Sequence, residues 1–313
     1  MKRPILITSA LGLACIGAAA IYFLYSPPPT EPSGEVERRT ISLGGHERHY
    51  TVYTPPTAKA GASILLAFHP SRSSGQQMRG YVGAIFERIA ERENLIVVYP
   101  DGVEGHFNDC RRMASYSART LNIDDVGFAK AIVGQLVKDR KANSYEVYAV
   151  GYSNGAQMAL RLAMETRNFL KGLIAISANL PARENMDCQL AVGTTRSLVF
   201  VEGTEDPVNP YGGGQVTLFG FGNRGSVLSA QGTAEWFASA RELVASESTS
   251  LKERDGIVAS QQDWSSPSGR VRLVTVKGGG HTVPQSNYRF PRILGQTYMG
   301  DEILDSAWKF IRE

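Results

Sequence analysis

The sequence of 313 residues lacks the compositional signs of several protein classes. Cysteine occurs only three times, which excludes a disulfide-dense scaffold and a zinc ribbon. Neither sign of charge dominates, because 33 basic residues face 30 acidic ones, and this balance excludes a nucleic-acid binder that works by neutralising phosphates. Charged residues make up 20% and hydrophobic residues 42%, so the composition is that of a folded chain, not a disordered one. Collagen-like, heptad and internal repeats are also absent from the sequence.

Charge is missing altogether from residues 4–25, directly after Lys2 and Arg3. As a helix this segment would span about 33 Å, the thickness of the hydrocarbon core of a bilayer. Residues 26–32 are rich in proline and are typical of an extended linker. We predict an uncleaved signal anchor over residues 1–25 and a Pro-rich linker over residues 26–37. Residues 38–313 would then form one domain, held at the periplasmic face of the inner membrane by the N-terminal segment.

A cleaved signal peptide is the main alternative for the N-terminus, and it would leave the domain secreted or periplasmic. The three alanines at residues 18–20 offer a cleavage site, but residues 21–25 stay apolar beyond it, which favours retention. Small residues before Cys15 also resemble a lipoprotein signal, although ten apolar residues follow that cysteine. In an exported domain Cys110 and Cys188 would face an oxidising compartment and could pair; the alternative is two buried free thiols.

Strand-like and helical segments alternate through the predicted domain. Short apolar runs, such as residues 63–68, are typical of strands that are buried on both faces of a sheet. The alternation predicts an α/β fold, with a mostly parallel central sheet and helices on both faces. Strands are predicted at residues 48–53, 63–68, 95–99, 146–150, 173–176, 198–201 and 271–276, and helices at residues 81–93, 126–137, 156–164, 233–243 and 302–311. The Gly-rich residues 212–225 are predicted to form a long loop.

A Gly-x-Ser-x-Gly pattern at residues 151–155 lies between a predicted strand and a predicted helix. A sharp turn at this point would project the Ser153 hydroxyl above the carboxyl edge of the sheet, and the backbone amide of Asn154 would begin the helix. Amides at a helix start can stabilise an oxyanion, so this arrangement is typical of a nucleophile. The alternative is a Gly-Ser turn that only connects two elements.

A serine hydroxyl is a weak nucleophile near neutral pH, so it needs a base, and the base needs an orienting acid. Asp206 follows the predicted strand 198–201, and His281 follows the predicted strand 271–276. Both lie just past the carboxyl end of a strand, where sites in open α/β sheets gather. The chain order Ser153, Asp206, His281 is that of the α/β-hydrolases.

Other residues compete for these roles. Glu205 and Asp101 are rival acids. Glu205 is one residue before Asp206, so its side chain would point elsewhere, and Asp101 is more simply explained as a turn residue. His46 and His49 precede the core strands and are predicted to lie on the surface. Asp206 itself has an alternative explanation as a loop-capping carboxylate.

The second oxyanion donor is expected in the loop of residues 69–75, after an early strand. Pro70 has no backbone N–H, which leaves Ser71, Arg72 or His69 as the donor. We take Ser71 as the candidate. The chemistry needs no metal or organic cofactor, and the residue spacings of calcium and zinc sites are absent from the sequence.

Taken together, these motifs resemble the polyhydroxybutyrate depolymerase and feruloyl esterase group of α/β-hydrolases. The resemblance runs in family order from about residue 40 to the C-terminus and is carried by residues 98–102, 124–128, 151–155, 203–207 with 210–211, and 278–282. It implies an extracytoplasmic serine esterase in which Ser153 is the nucleophile, Asp206 the acid and His281 the base. It also implies that Cys110 and Cys188 occupy positions of family cysteines.

Three positions depart from the family pattern. Pro70 stands where the family usually has glycine after the histidine of the oxyanion loop. Phe107 and Val283 stand where the family often has tryptophan. Because these positions bear on an aromatic-lined acyl pocket, the resemblance does not decide whether feruloyl or polymer esters are substrates.

The expected reaction is hydrolysis of a small or polymeric carboxylic ester through an acyl-enzyme, with no nucleic-acid partner. Two alternatives remain at this stage. One is a serine peptidase on the same scaffold, because the triad also serves amides. The other is a non-catalytic binding protein of the cell envelope. Pro70 keeps this alternative open, because it replaces the glycine that the family usually has in the oxyanion loop.

Overall fold

The computed structural model describes residues 15–30, 32, 34–140, 142–188 and 195–313. The first part of the predicted anchor, residues 1–14, lies outside the described residues. Residues 15–24 are helical and exposed. Within the described part of the chain, no helix is long and apolar enough to cross a membrane.

A central sheet of eleven strands runs through the described part of the chain, in the order β1-β2-β4-β3-β5-β6-β7-β13-β12-β10, with β11 beside β12. Strands β3 to β7 and β13 are parallel to their neighbours within this group, whereas β1, β2 and β10 to β12 are antiparallel additions at the two edges. The strands are β1 Val36–Leu43, β2 His46–Tyr53, β3 Ser63–Phe68, β4 Leu95–Pro100, β5 Val147–Tyr152, β6 Gly172–Ile176, β7 Ser197–Gly203, β10 Val244–Ala245, β11 Thr249–Ser250, β12 Val258–Ser266 and β13 Gly269–Lys277; β8 Gly214–Gln215 and β9 Ser226–Val227 form a separate hairpin.

Helices cover both faces of the sheet, which confirms the predicted α/β layering. They are α1 Gly75–Glu93, α2 Ser117–Thr120, α3 Asp125–Arg140, α4 Asn154–Glu165, α5 Ala230–Ser239 and α6 Glu302–Arg312, with 3₁₀ turns at Arg183–Asn185 and Arg292–Leu294. Side chains of β3 alternate between the two layers, because successive residues of a strand point to opposite faces. Ile64 and Leu66 pack in the core beneath α3, α4 and α5, whereas Leu65 and Ala67 pack beneath α1 and α6.

The elements differ from the sequence predictions mainly at the sheet edges and at helix starts. Strand β1 was not predicted, because it lies at an exposed edge and carries few apolar residues. Strand β12 was missed because most of its residues are polar, although it is paired with β13 on one side and with β10 and β11 on the other. Helix α1 begins six residues before the predicted start, where the Ser74 hydroxyl accepts a hydrogen bond from the Gln77 amide at 3.3 Å and caps the helix.

The parallel topology brings the candidate residues to one edge of the sheet. Ser153 directly follows β5, Asp206 comes three residues after β7, and His281 comes four residues after β13. Since parallel strands share a carboxyl edge, these distant segments of the chain meet there.

Candidate active site

The turn between β5 and α4 holds Ser153 in a strained backbone conformation, with φ 54° and ψ −117°. Such a conformation costs about 1–3 kcal/mol and persists only where the surroundings impose it. The flanking glycines make the turn sterically possible. A Cβ atom on Gly151 would lie 2.3 Å from the Gly155 carbonyl oxygen, and one on Gly155 would lie 2.1 Å from the Phe68 carbonyl oxygen. The strand-to-helix turn predicted from the sequence therefore exists, and only glycine fits on either side of it.

The side chains of Ser153, His281 and Asp206 form a continuous chain of hydrogen bonds. His281 Nε2 lies 2.9 Å from Ser153 Oγ, and His281 Nδ1 lies 2.7 Å from Asp206 Oδ2. The carboxylate of Asp206 is fully buried, and the imidazole of His281 is 7% exposed. The fold thus brings together three residues that are separated by up to 128 positions in the chain.

Hydrogen bonds that involve the backbone hold Asp206 and His281 in place. The backbone amides of Val208 and Asn209 donate to Asp206 Oδ1 at 2.8 and 2.7 Å, so the other carboxylate oxygen is left to face His281. The hydroxyl of Tyr152 donates to the His281 carbonyl oxygen at 2.6 Å, which holds the backbone of His281 at the end of β5. These bonds therefore fix the Asp206 carboxylate and the backbone of His281.

The competing residues lie elsewhere. Glu205 is exposed. Asp101 accepts a hydrogen bond from the Gly75 amide at 2.6 Å, at the start of α1. His46 is exposed on β2, and His49 is partly exposed and contacts Thr40. Geometry alone therefore selects Asp206 and His281 as the partners of Ser153.

Two backbone amides are candidates for an oxyanion site. Asn154 is the first residue of α4, so its amide has no acceptor within the helix. Ser71 lines the cavity beside Ser153, and its amide has no acceptor among the residues that the structure describes. The Arg72 amide is already used, because it donates to the Gly105 carbonyl oxygen at 2.8 Å. Of the loop candidates, Ser71 thus has the better placed free donor.

The imidazole of His69 supports this loop and does not line the cavity beside Ser153. It is fully buried and accepts a hydrogen bond from the Gly102 amide at Nε2, at 2.9 Å. Burial lowers the pKa of His69 to about 4, so the ring is neutral near pH 7. With Nε2 accepting, the proton sits on Nδ1 and is donated to the Pro70 carbonyl oxygen, 2.7 Å away. His69 therefore fixes the loop in which Pro70 replaces the expected glycine.

The side chain of Asn154 has a role that the sequence did not indicate. Its Oδ1 accepts from the Phe107 amide at 2.8 Å, and its Nδ2 donates to the Phe107 carbonyl oxygen at 3.0 Å and to Asp109 at 2.6 Å. The start of α4, whose first amide is the oxyanion candidate, is therefore joined to the loop of residues 107–111. The Cys110–Cys188 disulfide attaches the same loop to residues beyond the 3₁₀ turn Arg183–Asn185.

A second buried carboxyl, Glu202, lies at the end of β7 below the Asp206 loop. It accepts hydrogen bonds from the Ala178 amide at 2.9 Å and from Asn209 Nδ2 at 3.3 Å. Burial raises the pKa of Glu202 well above its usual value, and the nearby charge of Asp206 adds to the effect. Sequence reasoning missed this residue, although a charged side chain within an otherwise apolar buried strand was a usable signal.

A cavity of about 250 Å³ opens over the Ser153 hydroxyl. One part of its wall is aromatic and another is aliphatic, while arginines and small polar residues line a third part. The aromatic and aliphatic residues are Tyr81, Tyr152, Tyr288, Phe290, Val208, Val216, Leu218 and Leu294. The Gly-rich segment, residues 212–225, contributes Val216, Leu218 and Arg224 to the wall. This loop therefore shapes the cavity.

Comparison with known proteins indicates related molecules but no matching family model. The chain is 27% identical over 345 residues to the protein named "Putative esterase NocK" of Nocardia uniformis subsp. tsuyamanensis, which covers 99% of this chain and 96% of that protein. It is also 27% identical over 176 residues to an acetylxylan esterase of Coprinopsis cinerea, which covers 52% of this chain and 46% of that protein.

Among solved structures, the chain is similar to the acetyl xylan esterase from Aspergillus awamori, with a TM-score of 0.57 and 13% identity. The match covers 80% of this chain and 95% of that one. At such low identity the likeness concerns the fold alone. Together with the strand order and the turn at Ser153, it shows that the chain has an α/β-hydrolase fold.

Proposed function

We propose that this protein is a serine hydrolase of carboxylic esters that acts through an acyl-enzyme intermediate. The observation that carries the proposal is the unbroken hydrogen-bond chain from Ser153 through His281 to the buried carboxylate of Asp206. The sequence similarity to proteins named as esterases supports an ester substrate.

The proposed reaction begins when Ser153 Oγ attacks the ester carbonyl carbon. His281 Nε2 takes the hydroxyl proton and then delivers it to the departing alcohol. Asp206, which accepts from Nδ1–H, keeps the imidazole in the required tautomer and stabilises its protonated form. Water then attacks the acyl-enzyme, with His281 again as the base, and releases the acid.

Negative charge develops on the carbonyl oxygen in both steps. In this proposal the amides of Asn154 and Ser71 donate to that oxygen, and the positive end of α4 adds to the stabilisation. Each such donor contributes about a hundredfold or more to the rate in related chemistry. Pro70 does not prevent this arrangement, because the donor is the following residue.

For the subclass, we propose an activity similar to that of polyhydroxybutyrate depolymerases and feruloyl esterases, on the strength of the shared motifs. The aromatic residues Tyr81, Tyr288 and Phe290 at the cavity support contact with an apolar or aromatic part of the ester. We also propose that the domain is exported and remains attached to the inner membrane by its N-terminus. The Cys110–Cys188 disulfide supports an oxidising compartment.

The test uses the full chain and compares Ser153→Ala with Ser73→Ala, a second serine at the cavity wall. Short-chain p-nitrophenyl esters should be hydrolysed by the unchanged protein and by Ser73→Ala, and at least about a thousandfold more slowly by Ser153→Ala. A fluorophosphonate probe should label every form except Ser153→Ala. Equal hydrolysis by the unchanged protein and Ser153→Ala would refute the proposal. Faster cleavage of a matched p-nitroanilide than of the ester would favour a peptidase.

A further inference from the structure

The cavity over Ser153 carries an excess of positive charge. Arg72, Arg111 and Arg224 line it, whereas no Asp or Glu is among the described residues of its wall. We propose that the substrate is an anionic ester, whose acyl or alcohol part carries a carboxylate or similar oxyanion that binds between Arg224 and Arg72. This inference rests on the proposed ester hydrolysis and names the class of substrate.

Arg111 does not supply the free charge. Its guanidinium pairs with the carboxylate of Asp109 at 2.5 Å, and both side chains are at most 4% exposed. Burial alone would raise the pKa of Asp109, but Arg111 and the hydroxyl of Tyr116 lower it below its usual value, so the pair is ionised. A compensated pair of this kind fixes the wall of the cavity and leaves little attraction for a ligand.

Arg224 is in a different position. Its side chain is partly buried, and its Nη1 donates only to the Gly222 carbonyl oxygen, at 3.3 Å, in the described part of the chain. No carboxylate among the described residues forms an ion pair with it. Burial lowers the pKa of the Arg224 guanidinium, and the charges of Arg111 and Arg72 lower it further, while Tyr116 and the charge of Asp109 act in the opposite direction. Arginine nevertheless stays charged near pH 7, so a partly desolvated cation is left without an ion-paired carboxylate among the described residues.

Arg72 adds a second cation without an ion pair, from the loop of residues 69–75. It is exposed, next to Ser71, and forms no ion pair with any described residue. Its backbone is held in place, because the Arg72 amide donates to the Gly105 carbonyl oxygen and its φ is 56°. Both arginines therefore belong to segments that also form the cavity wall beside the nucleophile.

The guanidinium group matches an oxyanion in shape as well as in charge. It presents a planar fork of N–H donors that bind both oxygens of a carboxylate at once. Because two of the three parts of the wall are aliphatic or aromatic, the fitting substrate has an apolar body and one anionic end. A neutral ester in the cavity would leave the Arg224 charge without a carboxylate partner.

The test compares pairs of esters that differ in charge. For the acyl side the pair is mono-p-nitrophenyl adipate and p-nitrophenyl hexanoate; for the alcohol side it is 3-acetoxybenzoate and its methyl ester. The ratio of kcat/KM values within a pair is measured for the full chain and for Arg224→Gln, Arg72→Gln and Arg224→Lys. Dividing the unchanged protein's ratio by the variant's ratio cancels the intrinsic reactivity of the esters.

We expect this double ratio to be about tenfold in at least one pair for Arg224→Gln, because a charge-assisted hydrogen bond is lost. Arg72→Gln should give a smaller loss, and Arg224→Lys should retain part of the preference. Arg183→Gln, which removes an exposed arginine away from the cavity, should leave both ratios unchanged. High salt should reduce the preference, since screening weakens the attraction.

Two outcomes would overturn the inference. One is a double ratio near one in both pairs for Arg224→Gln; an equal loss of kcat/KM for neutral and anionic esters gives this result and would indicate a structural role. The other is an effect of Arg183→Gln as large as that of Arg224→Gln. If the unchanged protein cleaves none of the four esters, the proposed function itself fails; Ser153-dependent cleavage of neutral esters without an anionic preference refutes only this inference.

Discussion

The two sides of the cavity are built in different ways. On one side, Ser153, Asp206 and His281 stand at the ends of long buried strands and are fixed by backbone hydrogen bonds. On the other side, residues 212–229 contain only the two-residue strands β8 and β9 and carry exposed aromatic residues, with Phe221 77% exposed.

The difference separates catalysis from substrate choice. The sheet side is embedded in the core, so a change there disturbs both stability and chemistry. The loop side has few buried contacts, so its residues can change at little cost to folding. We therefore expect substitutions on the sheet side to alter the rate for every ester, and those on the loop side to alter which ester is preferred.

The largest expected effect comes from the acid on the sheet side. Asp206→Asn should lower kcat by about ten-thousandfold for all esters, because the amide no longer holds the correct tautomer of His281. The rate of p-nitrophenol release from short p-nitrophenyl esters would measure the loss of kcat. Glu205→Gln is the matched control, since Glu205 is adjacent and exposed. If both variants lost the same activity, Asp206 would not be the orienting acid.

The next effect concerns the Cys110–Cys188 disulfide, which supports the loop of residues 107–111. It closes a segment of 78 residues, so its loss should lower the free energy of unfolding by about 4–5 kcal/mol. The measurement is urea denaturation of the variant with both cysteines changed to serine. Cys15→Ser is the control, because Cys15 is exposed and unpaired. A loss no larger than in that control would contradict a stabilising role.

A smaller and pH-dependent effect is expected at Glu202. Because burial raises its pKa above the usual 4.5, the folded protein holds a proton that the unfolded chain releases. Stability should therefore fall as the pH rises from about 4.5 toward the folded pKa, by up to about 1.4 kcal/mol per pH unit. Glu202→Gln should flatten this dependence in urea denaturation between pH 5 and pH 8. The exposed Glu205→Gln variant should keep the original slope, and identical slopes in all three proteins would count against the raised pKa.

The smallest effect is expected on the loop side. Leu218 lines the cavity, so Leu218→Ala should change the ratio of kcat/KM for long and short acyl chains by about threefold to tenfold. Phe219→Ala is the control, because Phe219 is 42% exposed and does not line the cavity. An equal fall in kcat for all chain lengths would show that the loop supports the chemistry and not the choice of acyl chain.

Much of the fold follows from local patterns. The buried parallel strands were predictable because both of their faces are covered, which leaves continuous apolar runs such as residues 63–68. Strand β1 and the start of α1 were not. The first lies at a solvent-exposed edge, and the second contains glycines that interrupt the helical period, including Gly75, which packs against the Tyr99 backbone.

For the site, the sequence by itself determined the candidates Ser153, Asp206 and His281, because each follows a strand whose end is readable from local sequence. Their catalytic roles remain predictions. Only the tertiary structure decided the rest: the hydrogen bonds of Asn154 to residues 107–109, the buried carboxyl of Glu202, and the contrast between Arg111, which is ion-paired, and Arg224, which has no ion pair among the described residues. The physical reason is that burial and charge compensation depend on groups far apart in the chain, which no local pattern records.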